Sequence, residues 1–504
     1  MVSTVEKLDD PALVKQAALL LEQENARLHR RLQELIAENA KLKGHDGHKQ
    51  LELEIVRLQE QMATLRQEMF GTSSEKRKTT DASAAPRAPR NGHGRREQAE
   101  LPVEEQAHEL DEAERVCPEC GERLAEWEGQ SEDSEEVTVV ERQFVVRKHR
   151  RKKYRCKHGC APITAPGPLK LVEGGRYSVD FATYVAIAKY QWHLPLERQV
   201  RMYAANGLVV DSQTLWDQIE LLAGHLEPSY QALRAEVFTS PLIHADETYW
   251  PMLSKGTGKK WYAWTVASPG VVYHRIFDSR STATAREVLG EYRGNVVADG
   301  YEPYQTVARA GPDGVARYTL AFCWAHVRRK YVKAEPFAPA CAEVIELIGR
   351  LYEVERDLPN PHVLAGEERE AALAQILATR RQRSAPILDE IRAWVGRQQG
   401  LPESSFRKAI KYMLDLWHGL TVFLDNAWVP LDNNLVERQI RPLVVGRKNH
   451  YGSKSKRGTE VAAIFYSLIE TAEMRGEDPA AYLRRSALAA IALPGTATLP
   501  TLAE

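Results

Sequence analysis

The chain has 504 residues, more than a single hydrophobic core normally serves, so several domains are expected. No apolar run reaches the roughly 18 residues of a membrane-spanning helix, and the polar, acidic N-terminus lacks a signal-peptide pattern, which predicts a cytoplasmic protein with no membrane partner. The 68 Lys and Arg residues nearly balance the 69 Asp and Glu residues, so any binding to nucleic acid must depend on local basic segments.

Residues 1–70 are predicted to form a coiled coil that joins copies of the chain. Leucines recur at heptad spacing: Leu21, Leu28, Leu35 and Leu42. The alternate seam contains Asn25 and Asn39, and a buried Asn at such a position commonly fixes the register of a coiled coil. A single amphipathic helix packed on its own domain is the alternative. The next residues, 71–100, are rich in Ser, Pro, Gly and Arg, which predicts a flexible linker.

Residues 101–165 contain two close cysteine pairs and are predicted to form a small zinc-binding domain. Cys117 and Cys120 form the first pair, and Cys156 and Cys160 form the second. In a cytosolic chain such pairs favour Zn²⁺ over disulfides, because tetrahedral Zn²⁺ accepts four ligands from two such turns. His158 lies within the second pair, so the fourth ligand is either Cys160 or His158. We expect one structural Zn²⁺.

A basic segment at residues 142–157 contains no acidic residue. Its candidate DNA-binding residues are Arg147, Lys148, Arg150, Arg151, Lys152, Lys153 and Arg155. Cations at this density neutralise several phosphates and release counterions, which predicts salt-sensitive binding to the DNA backbone. A solvated face of a strand is the alternative.

Residues 166–238 are predicted to be helical. One helix starts at Leu196 after Pro195, and Asn206-Gly207 separates it from a second helix with Ser212 as a candidate N-cap. Two helices joined by a Gly-containing turn are typical of a helix-turn-helix, which would place Gln213 and Thr214 near base edges. A helical hairpin that binds nothing is the alternative.

Three acidic residues each adjoin an apolar segment. Asp246 lies in a predicted strand, Asp299 ends a second apolar run, and Glu437 lies in a predicted helix. Three further strands are predicted: Lys260 to Ala267, Val271 to Phe277 and Leu320 to Trp324. Taken alone, Asp246 is explained by a strand end, Asp299 by a turn and Glu437 by a solvated position on a helix. Together they suit two divalent ions, because hard cations prefer oxygen ligands that a rigid sheet brings together from separate elements. The combination favours metal-assisted chemistry on phosphodiesters.

Further basic residues flank a long helical stretch at residues 326–425, which is predicted to be an all-helical insertion. Candidate phosphate contacts precede and follow it: Arg328, Arg329, Lys330, Arg438, Arg441, Arg447 and Lys448. His326 as a general base is a secondary hypothesis.

Four motifs make the chain resemble the bacterial insertion-sequence transposases of the sixty-six family. They are HADETYWP from His244, ADGY from Ala298, CWAHVRRKY from Cys323 and DNNLVERQIRPLVVGRKNHYGS from Asp432. The resemblance runs from the N-terminal coiled coil to about residue 485. It implies a ribonuclease-H-like DDE catalytic core, here residues 239–325 plus 426–485, followed by a tail at 486–504. The sequence itself predicts a closing amphipathic helix at Tyr466 to Ala472 and Ala480 to Leu483, and loosely ordered residues from about Ala489 onward. This chain departs from the family in the second cysteine pair, which usually encloses two residues and here encloses three.

The resemblance implies that Asp246, Asp299 and Glu437 are the catalytic triad and hold two Mg²⁺ or Mn²⁺ ions, with Asp432 and Glu247 as reserve ligands. The implied function is a DNA transposase that cleaves element ends and joins a freed 3′ hydroxyl to target DNA. Implied partners are the element's terminal repeats, target DNA, a second copy of the chain and two small accessory proteins. When bound to DNA, the protein would associate with the nucleoid. The alternatives are a catalytically silent DNA-binding regulator and a nuclease that does not join strands.

The expected fold class is therefore a multi-domain α+β/α chain. It comprises the coiled coil, the zinc-binding domain, the helix-turn-helix-like region and a mixed α/β core interrupted by the helical insertion.

Overall fold

A computed structural model describes residues 30, 34, 121–123, 144–154, 163–253, 260–290, 292–309, 317–398 and 404–502. The chain divides into two compact units, Lys76–Val145 and the remainder. Within the first unit only residues 121–123 and 144–145 are described. Apart from the helical residues Arg30 and Glu34, the predicted coiled coil and linker lie outside the described residues, as do the two cysteine pairs. The fold below is that of residues 146–502.

A short antiparallel ladder and three helices precede the main sheet in the described part of the chain. The ladder pairs β1 (Lys153–Tyr154) with β2 (Ile163–Thr164). The helices are α1 (Val179–Tyr190), α2 (Leu196–Ala205) and α3 (Ser212–Val237). The two predicted helices around Gly207 are thus present, and Gly207 has the positive φ of 79° that a turn after a helix favours in glycine.

The N-cap of α3 is Asp211, so the prediction of Ser212 was wrong by one residue. The Asp211 carboxylate accepts the backbone N–H of Thr214 at 2.6 Å, and this bond satisfies one of the unpaired donors of the first turn. The Ser212 hydroxyl instead donates to Glu197 of α2 at 2.6 Å, which joins the two helices across the turn.

Five strands form one mixed sheet: β3 (Leu242–Trp250), β4 (Trp261–Ser268), β5 (Val271–Phe277), β6 (Asn295–Ala298) and β7 (Thr319–Phe322). Their order is β5-β4-β3-β6-β7. The pairs β3–β4 and β4–β5 are antiparallel, whereas β3–β6 and β6–β7 are parallel. The parallel strands are connected through α4 (Thr282–Leu289) and α5 (Glu302–Ala308). The expected mixed α/β core is confirmed at this level.

Strand positions agree with the sequence to within a residue or two. The strands expected from Lys260 and from Val271 begin at Trp261 and Val271. The strand expected to run from Leu320 to Trp324 ends earlier, at Phe322, because Trp324 already begins a helix and its indole is fully buried.

The edge strand β5 is covered by side chains rather than by a further strand. The Ser467 hydroxyl accepts the backbone N–H of His274 at 2.8 Å, and Thr471 Oγ1 bonds both backbone groups of Val272. The Tyr230 hydroxyl donates to the carbonyl of His274 at 2.7 Å. Because an open edge is a template for strand pairing with another chain, these bonds protect the sheet.

The stretch between β7 and residue 425 is helical, as predicted. Its helices are α6 (Trp324–Ala334), α7 (Cys341–Arg356), α8 (Gly366–Thr379), α9 (Ala385–Gly396), α10 (Ser405–Asp415) and α11 (Trp417–Leu420). The buried Arg380 guanidinium binds the Glu355 carboxylate through two hydrogen bonds of 2.8 and 2.6 Å. It also donates to the carbonyls of Phe423 and Asn426, so one satisfied buried cation joins these helices to the segment that returns to the sheet.

Three further helices complete the fold: α12 (Asn434–His450), α13 (Lys456–Met474) and α14 (Pro479–Ala492). Val436 and Ile440 of α12 pack with Ala267 and Val272 of the sheet. The sequence suggested an amphipathic closing helix around Tyr466, but α13 is buried on nearly every side between Thr459 and Ala472 because it lies between the sheet and α3.

The last residues are ordered by hydrogen bonds, contrary to the expectation of a loose tail from about Ala489. Helix α14 continues to Ala492. Beyond it, Thr498 N–H donates to Ser229 at 2.9 Å and Thr501 N–H donates to Glu477 at 2.7 Å. The C-terminal segment therefore belongs to the packed unit. None of the helices in the described ranges is both long and apolar enough to cross a membrane.

A buried polar pair lies where α13 meets β5. His274 Nε2 and Glu470 Oε2 are 3.0 Å apart, and both side chains are almost fully buried. Burial raises the pKa of Glu470 well above its usual range and lowers that of His274 to about 3. Both groups are therefore neutral, with the Glu470 hydroxyl donating to His274 and His274 donating to Thr265 at 2.9 Å.

Replacing Glu470 by Gln is expected to stabilise the protein increasingly as pH rises above about 4.5. The unfolded Glu470 ionises there while the folded one keeps its proton, so the wild type loses up to about 1.4 kcal/mol per pH unit. Gln keeps the hydrogen bond to His274 and has no proton to lose. The measurement is the free energy of unfolding of both proteins at pH 5, 6 and 7, with Glu346→Gln, at an exposed position on α7, as control. A variant less stable than the wild type at pH 7 would instead indicate an ion pair.

Candidate active site

The three acidic residues identified from the sequence converge at the carboxyl end of β6. Asp246 lies in β3, Asp299 directly follows β6, and Glu437 is in the first turn of α12. His244 is opposite Val297 in the parallel pair, so two further steps along this register bring Asp246 beside Asp299. Burial raises the pKa of Asp246, and the negative charges of Asp299 and Glu437 raise it further, so both of these carboxylates lie near enough to interact with Asp246.

The Asp246 carboxyl is in an environment that disfavours its negative charge. Burial raises its pKa well above the usual range, and the carboxylates of Glu247 and Asp299 raise it further. The backbone N–H of Glu247 donates to Asp246 Oδ1 at 2.8 Å and offsets these effects only in part. A divalent cation among such groups favours their ionised forms. The cluster thus has the electrostatics of a cation-binding site.

Glu437 faces basic and imidazole groups of α6. Its Oε1 is 3.7 Å from His326 Nδ1, and its Oε2 is 3.7 Å from Arg329. Both distances exceed a hydrogen bond. Among the described residues, Glu437 Oε1 and His326 Nδ1 are buried atoms without a hydrogen-bond partner. Oxygen donors from three separate elements, one of them unsatisfied, fit the ligand set that Mg²⁺ or Mn²⁺ takes.

The two reserve ligands proposed from the sequence are engaged elsewhere. Glu247 is buried and accepts hydrogen bonds from Arg280, at 2.7 Å from Nε, and from the Tyr304 hydroxyl. Asp432 accepts the backbone N–H of Asn434 at 3.1 Å and its side-chain amide at 2.5 Å. Glu247 therefore supports the strand beside Asp246, and Asp432 shapes the turn into α12.

Asn433 is a functional candidate that the sequence did not reveal. It is fully buried and joins three elements of the site. Its Oδ1 accepts from His244 Nδ1 at 2.9 Å, its Nδ2 donates to the Ala245 carbonyl at 2.9 Å, and its backbone N–H donates to Cys323 Sγ at 3.2 Å. These bonds tie the helix of Glu437 to the strand of Asp246. Although Asn433 occupies the N-cap position of α12, its side chain makes no capping bond to that helix.

The predicted phosphate contacts of the CWAHVRRKY motif do not all lie together. His326, Arg329 and Lys330 are spaced three and four residues apart, so they share one face of α6, and that face is turned to the carboxylates. Lys330 Nζ lies 4.2 Å above the ring of Tyr412, whose hydroxyl accepts the backbone N–H of Gly300 at 3.3 Å. Arg328 is two positions from His326 and therefore points to another side of the helix.

The basic residues after Glu437 fall into two groups, one that binds the protein and one that is exposed. Arg447 binds inward: it donates to Thr248 Oγ1 at 2.9 Å and to the Tyr249 carbonyl, so it fastens α12 to β3. The other three, Arg438, Arg441 and Lys448, are exposed and follow helical spacing along one side of α12. They form a basic ridge that begins one residue after Glu437.

The remaining predicted DNA contacts lie on segments that precede the main sheet. Arg147, Lys148, Arg150, Arg151, Lys152 and Lys153 are exposed, and Arg151 Nε donates to the Ala165 carbonyl at 2.6 Å. Gln213 is exposed on the first turn of α3 and donates to Asp217 at 2.7 Å, while the Thr214 backbone N–H bonds Asp211. Arg155, the four cysteines and His158 lie outside the described residues.

Comparison with known proteins gives two family matches. Residues 174–461 match the family described as Transposase IS66 family, and residues 114–159 match the zinc-finger binding domain of transposase IS66. A similar protein of Sinorhizobium fredii, y4jD, is 31% identical over 368 residues, which cover 69% of this chain and 70% of that protein. Another from the same organism, y4hP, is 28% identical over 376 residues, covering 69% and 66% respectively. Both relatives are described as uncharacterized.

Proposed function

Because the chain belongs to the IS66 transposase family, with a zinc-finger domain that supports a structural Zn²⁺, we propose that Asp246, Asp299 and Glu437 form a DDE triad. The triad would bind two divalent ions, Mg²⁺ or Mn²⁺, and use them to cleave and rejoin DNA. Family membership supplies DNA as the partner and strand cleavage as the general activity. The choice of residues and the mechanism are proposals.

The observation that carries this proposal is the convergence of three carboxylates from β3, β6 and α12. Asp299 adjoins Asp246 in the β3–β6 register. Burial raises the pKa of Asp246, and the charges of Asp299 and Glu437 raise it further. An accidental cluster of three acids at the end of buried strands would cost stability, because unpaired like charges repel at short range. Binding of cations removes that cost, so the arrangement is better explained by a metal site than by packing.

The residues of the chain would divide the work as follows. Asp246, Asp299 and Glu437 would hold two divalent ions, which would supply Lewis-acid activation of the scissile phosphate and the attacking water or hydroxyl, and charge stabilisation for the leaving 3′ oxygen. Asp246 and Asp299 sit on paired strands, so their spacing is rigid. Arg329 and Lys330 on α6 lie beside the carboxylates and would hold phosphates of the scissile strand. The basic ridge of α12 would bind further phosphates of the DNA backbone.

The sheet supports a ribonuclease-H-like catalytic core. Three antiparallel strands followed by two parallel ones, with helices covering the sheet, provide adjacent strand ends for two of the acids. We retain as proposals the domain limits expected from the sequence, the oligomer formed through residues 1–70, and DNA contact by α3 and by the basic segment around Arg150. Partnership with two accessory proteins of the same element is also a proposal.

The experiment that tests the function is a nicking and joining assay on labelled element-end DNA with the full chain, in Mg²⁺, in Mn²⁺ and in EDTA. Metal-dependent nicking followed by a joined product supports the transposase mechanism. Nicking without joining would favour the nuclease. Tight, sequence-specific binding with no cleavage, even with the element's accessory proteins present, would favour the silent regulator.

The zinc ligands can be assigned by two matched variants. We expect Cys160→Ser to lose bound zinc and His158→Gln to keep it, because a thiolate binds Zn²⁺ more tightly than the neighbouring imidazole in a site with three other thiolates. The measurement is zinc content per chain by metal analysis after dialysis. The reverse pattern would make His158 the fourth ligand.

A further inference from the structure

We propose that His326 is a metal ligand, so that His326 Nδ1 and Glu437 Oε1 together chelate one of the two divalent ions. The inference rests on the proposed function and deepens it, since it adds a nitrogen donor to a site otherwise built from carboxylate oxygens.

The geometry of the two atoms carries the proposal. They lie 3.7 Å apart, too far for a hydrogen bond and with no other hydrogen-bond partner among the described residues, although both atoms are buried. Two ligands bound to one ion through bonds of about 2.1 Å span such a gap at an angle of about 120°. Closing the gap by less than about 1 Å would give neighbouring donors of an octahedral ion.

A third possible donor close to this pair is already occupied. Cys323 Sγ lies within 4.8 Å of the donor atoms of His326 and Glu437. However, the buried thiol accepts the backbone N–H of Asn433 at 3.2 Å, so its lone pairs are directed to the start of α12. The Cys323 thiol is therefore not available as a ligand. Among the described residues, the two facing donors without a hydrogen-bond partner are His326 Nδ1 and Glu437 Oε1.

The elements that present these donors are fixed independently of any ion. His326 lies in the first turn of α6, which begins directly after β7, and Glu437 lies in the first turn of α12. The Trp324 backbone N–H donates to the Leu431 carbonyl at 2.8 Å, which holds the two helix starts together. The pair is thus preorganised, as a chelating site requires.

A nitrogen donor has a consequence for metal choice. Mn²⁺ and Mg²⁺ both take carboxylate and water oxygens. Mg²⁺ dehydrates reluctantly and keeps several waters, whereas Mn²⁺, a transition-metal ion, also accepts an imidazole nitrogen. We expect His326→Gln to weaken Mn²⁺ binding about tenfold and Mg²⁺ binding less, because Mg²⁺ gains little from the imidazole. Competition of Mg²⁺ against Mn²⁺, followed by the free Mn²⁺ signal in electron paramagnetic resonance, measures both.

The direct test is electron spin-echo spectroscopy of Mn²⁺ bound to the full chain, which detects nitrogen coordinated to the ion. We expect ¹⁴N modulation in the wild type, its replacement by ¹⁵N couplings when the protein carries ¹⁵N-labelled histidine, and its loss in His326→Gln. The labelled wild type needs no variant and so gives an answer even if the substitution misfolds. His418→Gln, at an exposed position on α11, is the matched control and should retain the modulation.

The outcomes separate this inference from the proposed function. If Mn²⁺ binding depends on Asp299 but shows no histidine nitrogen, the triad stands and His326 is not a ligand. If nitrogen modulation survives His326→Gln, another histidine binds the ion and the inference is wrong. If Asp299→Asn leaves Mn²⁺ binding unchanged, the ion does not sit at the triad, and both the proposed function and the inference fail.

Discussion

Replacing Asp299 by Asn is expected to lower the rate of metal-dependent DNA cleavage by at least about a thousandfold while leaving DNA affinity unchanged. The substitution removes a negative charge and one oxygen of the proposed metal site at the end of β6. A loss of several kcal/mol of transition-state stabilisation corresponds to this factor, since each 1.36 kcal/mol is about tenfold in rate. The fold should persist, because Asn has nearly the same volume and its Oδ1 can still accept the Tyr301 N–H, now 2.9 Å from Asp299.

The measurement compares cleavage and joining of labelled element-end DNA by wild type and variant at matched binding. Asp425→Asn is the control: the Asp425 carboxylate is 84% exposed and lies 3.7 Å from the Arg381 guanidinium, on the helical insertion. Equal cleavage by wild type and Asp299→Asn would mean that the activity is a contaminant or that the triad is misassigned. A parallel loss in Asp425→Asn would point to a general effect of the substitution on the protein.

Replacing Asn433 by Asp is expected to lower the free energy of unfolding by about 3 kcal/mol and to remove cleavage activity. The new carboxylate keeps the acceptor for His244 but places an oxygen against the Ala245 carbonyl, where Asn433 Nδ2 now donates at 2.9 Å. A buried polar group that loses its partner costs about 1–3 kcal/mol, and a charged one costs more. The start of α12 should then shift, and Glu437 with it.

Unfolding by denaturant, followed by the cleavage assay at a temperature where the variant is folded, separates the two effects. Asn360→Asp places the same charge at an exposed position, where the new carboxylate still accepts the His362 N–H, and should change stability by less than about 1 kcal/mol. A fully active Asn433→Asp protein would show that Glu437 is positioned by other contacts. An active but unstable protein would limit Asn433 to a structural role.

The sequence predicted what depends on local patterns. Apolar runs bounded by polar residues located the strands, and the acids beside them were found because each closes or interrupts such a run. The predicted N-cap of α3 was one residue too late because Asp and Ser are both favoured at N-cap positions, and Asp211 and Ser212 are adjacent. The distinction depends on which oxygen reaches the N–H of Thr214, and only the structure contains that distance.

Contacts between distant segments could not be predicted in this way. Asn433 and Arg447 belong to one polar stretch and look equally exposed in sequence, yet the first is buried against β3 and the second binds the end of the same strand. Their roles follow from where α12 packs, which is a property of the whole sheet. The order of the C-terminal residues has the same origin, since Thr498 and Thr501 bond to Ser229 and Glu477.

The bond between His244 and Asn433 joins residues that are 189 positions apart in the chain. At a synthesis rate of about 5–20 residues per second, a ribosome needs about 10–40 seconds to add that length. During this interval the emerging sheet carries Asp246 and Asp299 but neither the helix that holds Glu437 nor the donor that satisfies the Ala245 carbonyl. A nascent chain therefore cannot assemble the proposed triad until α12 has been made, and any chain that terminates before α12 is released without Glu437.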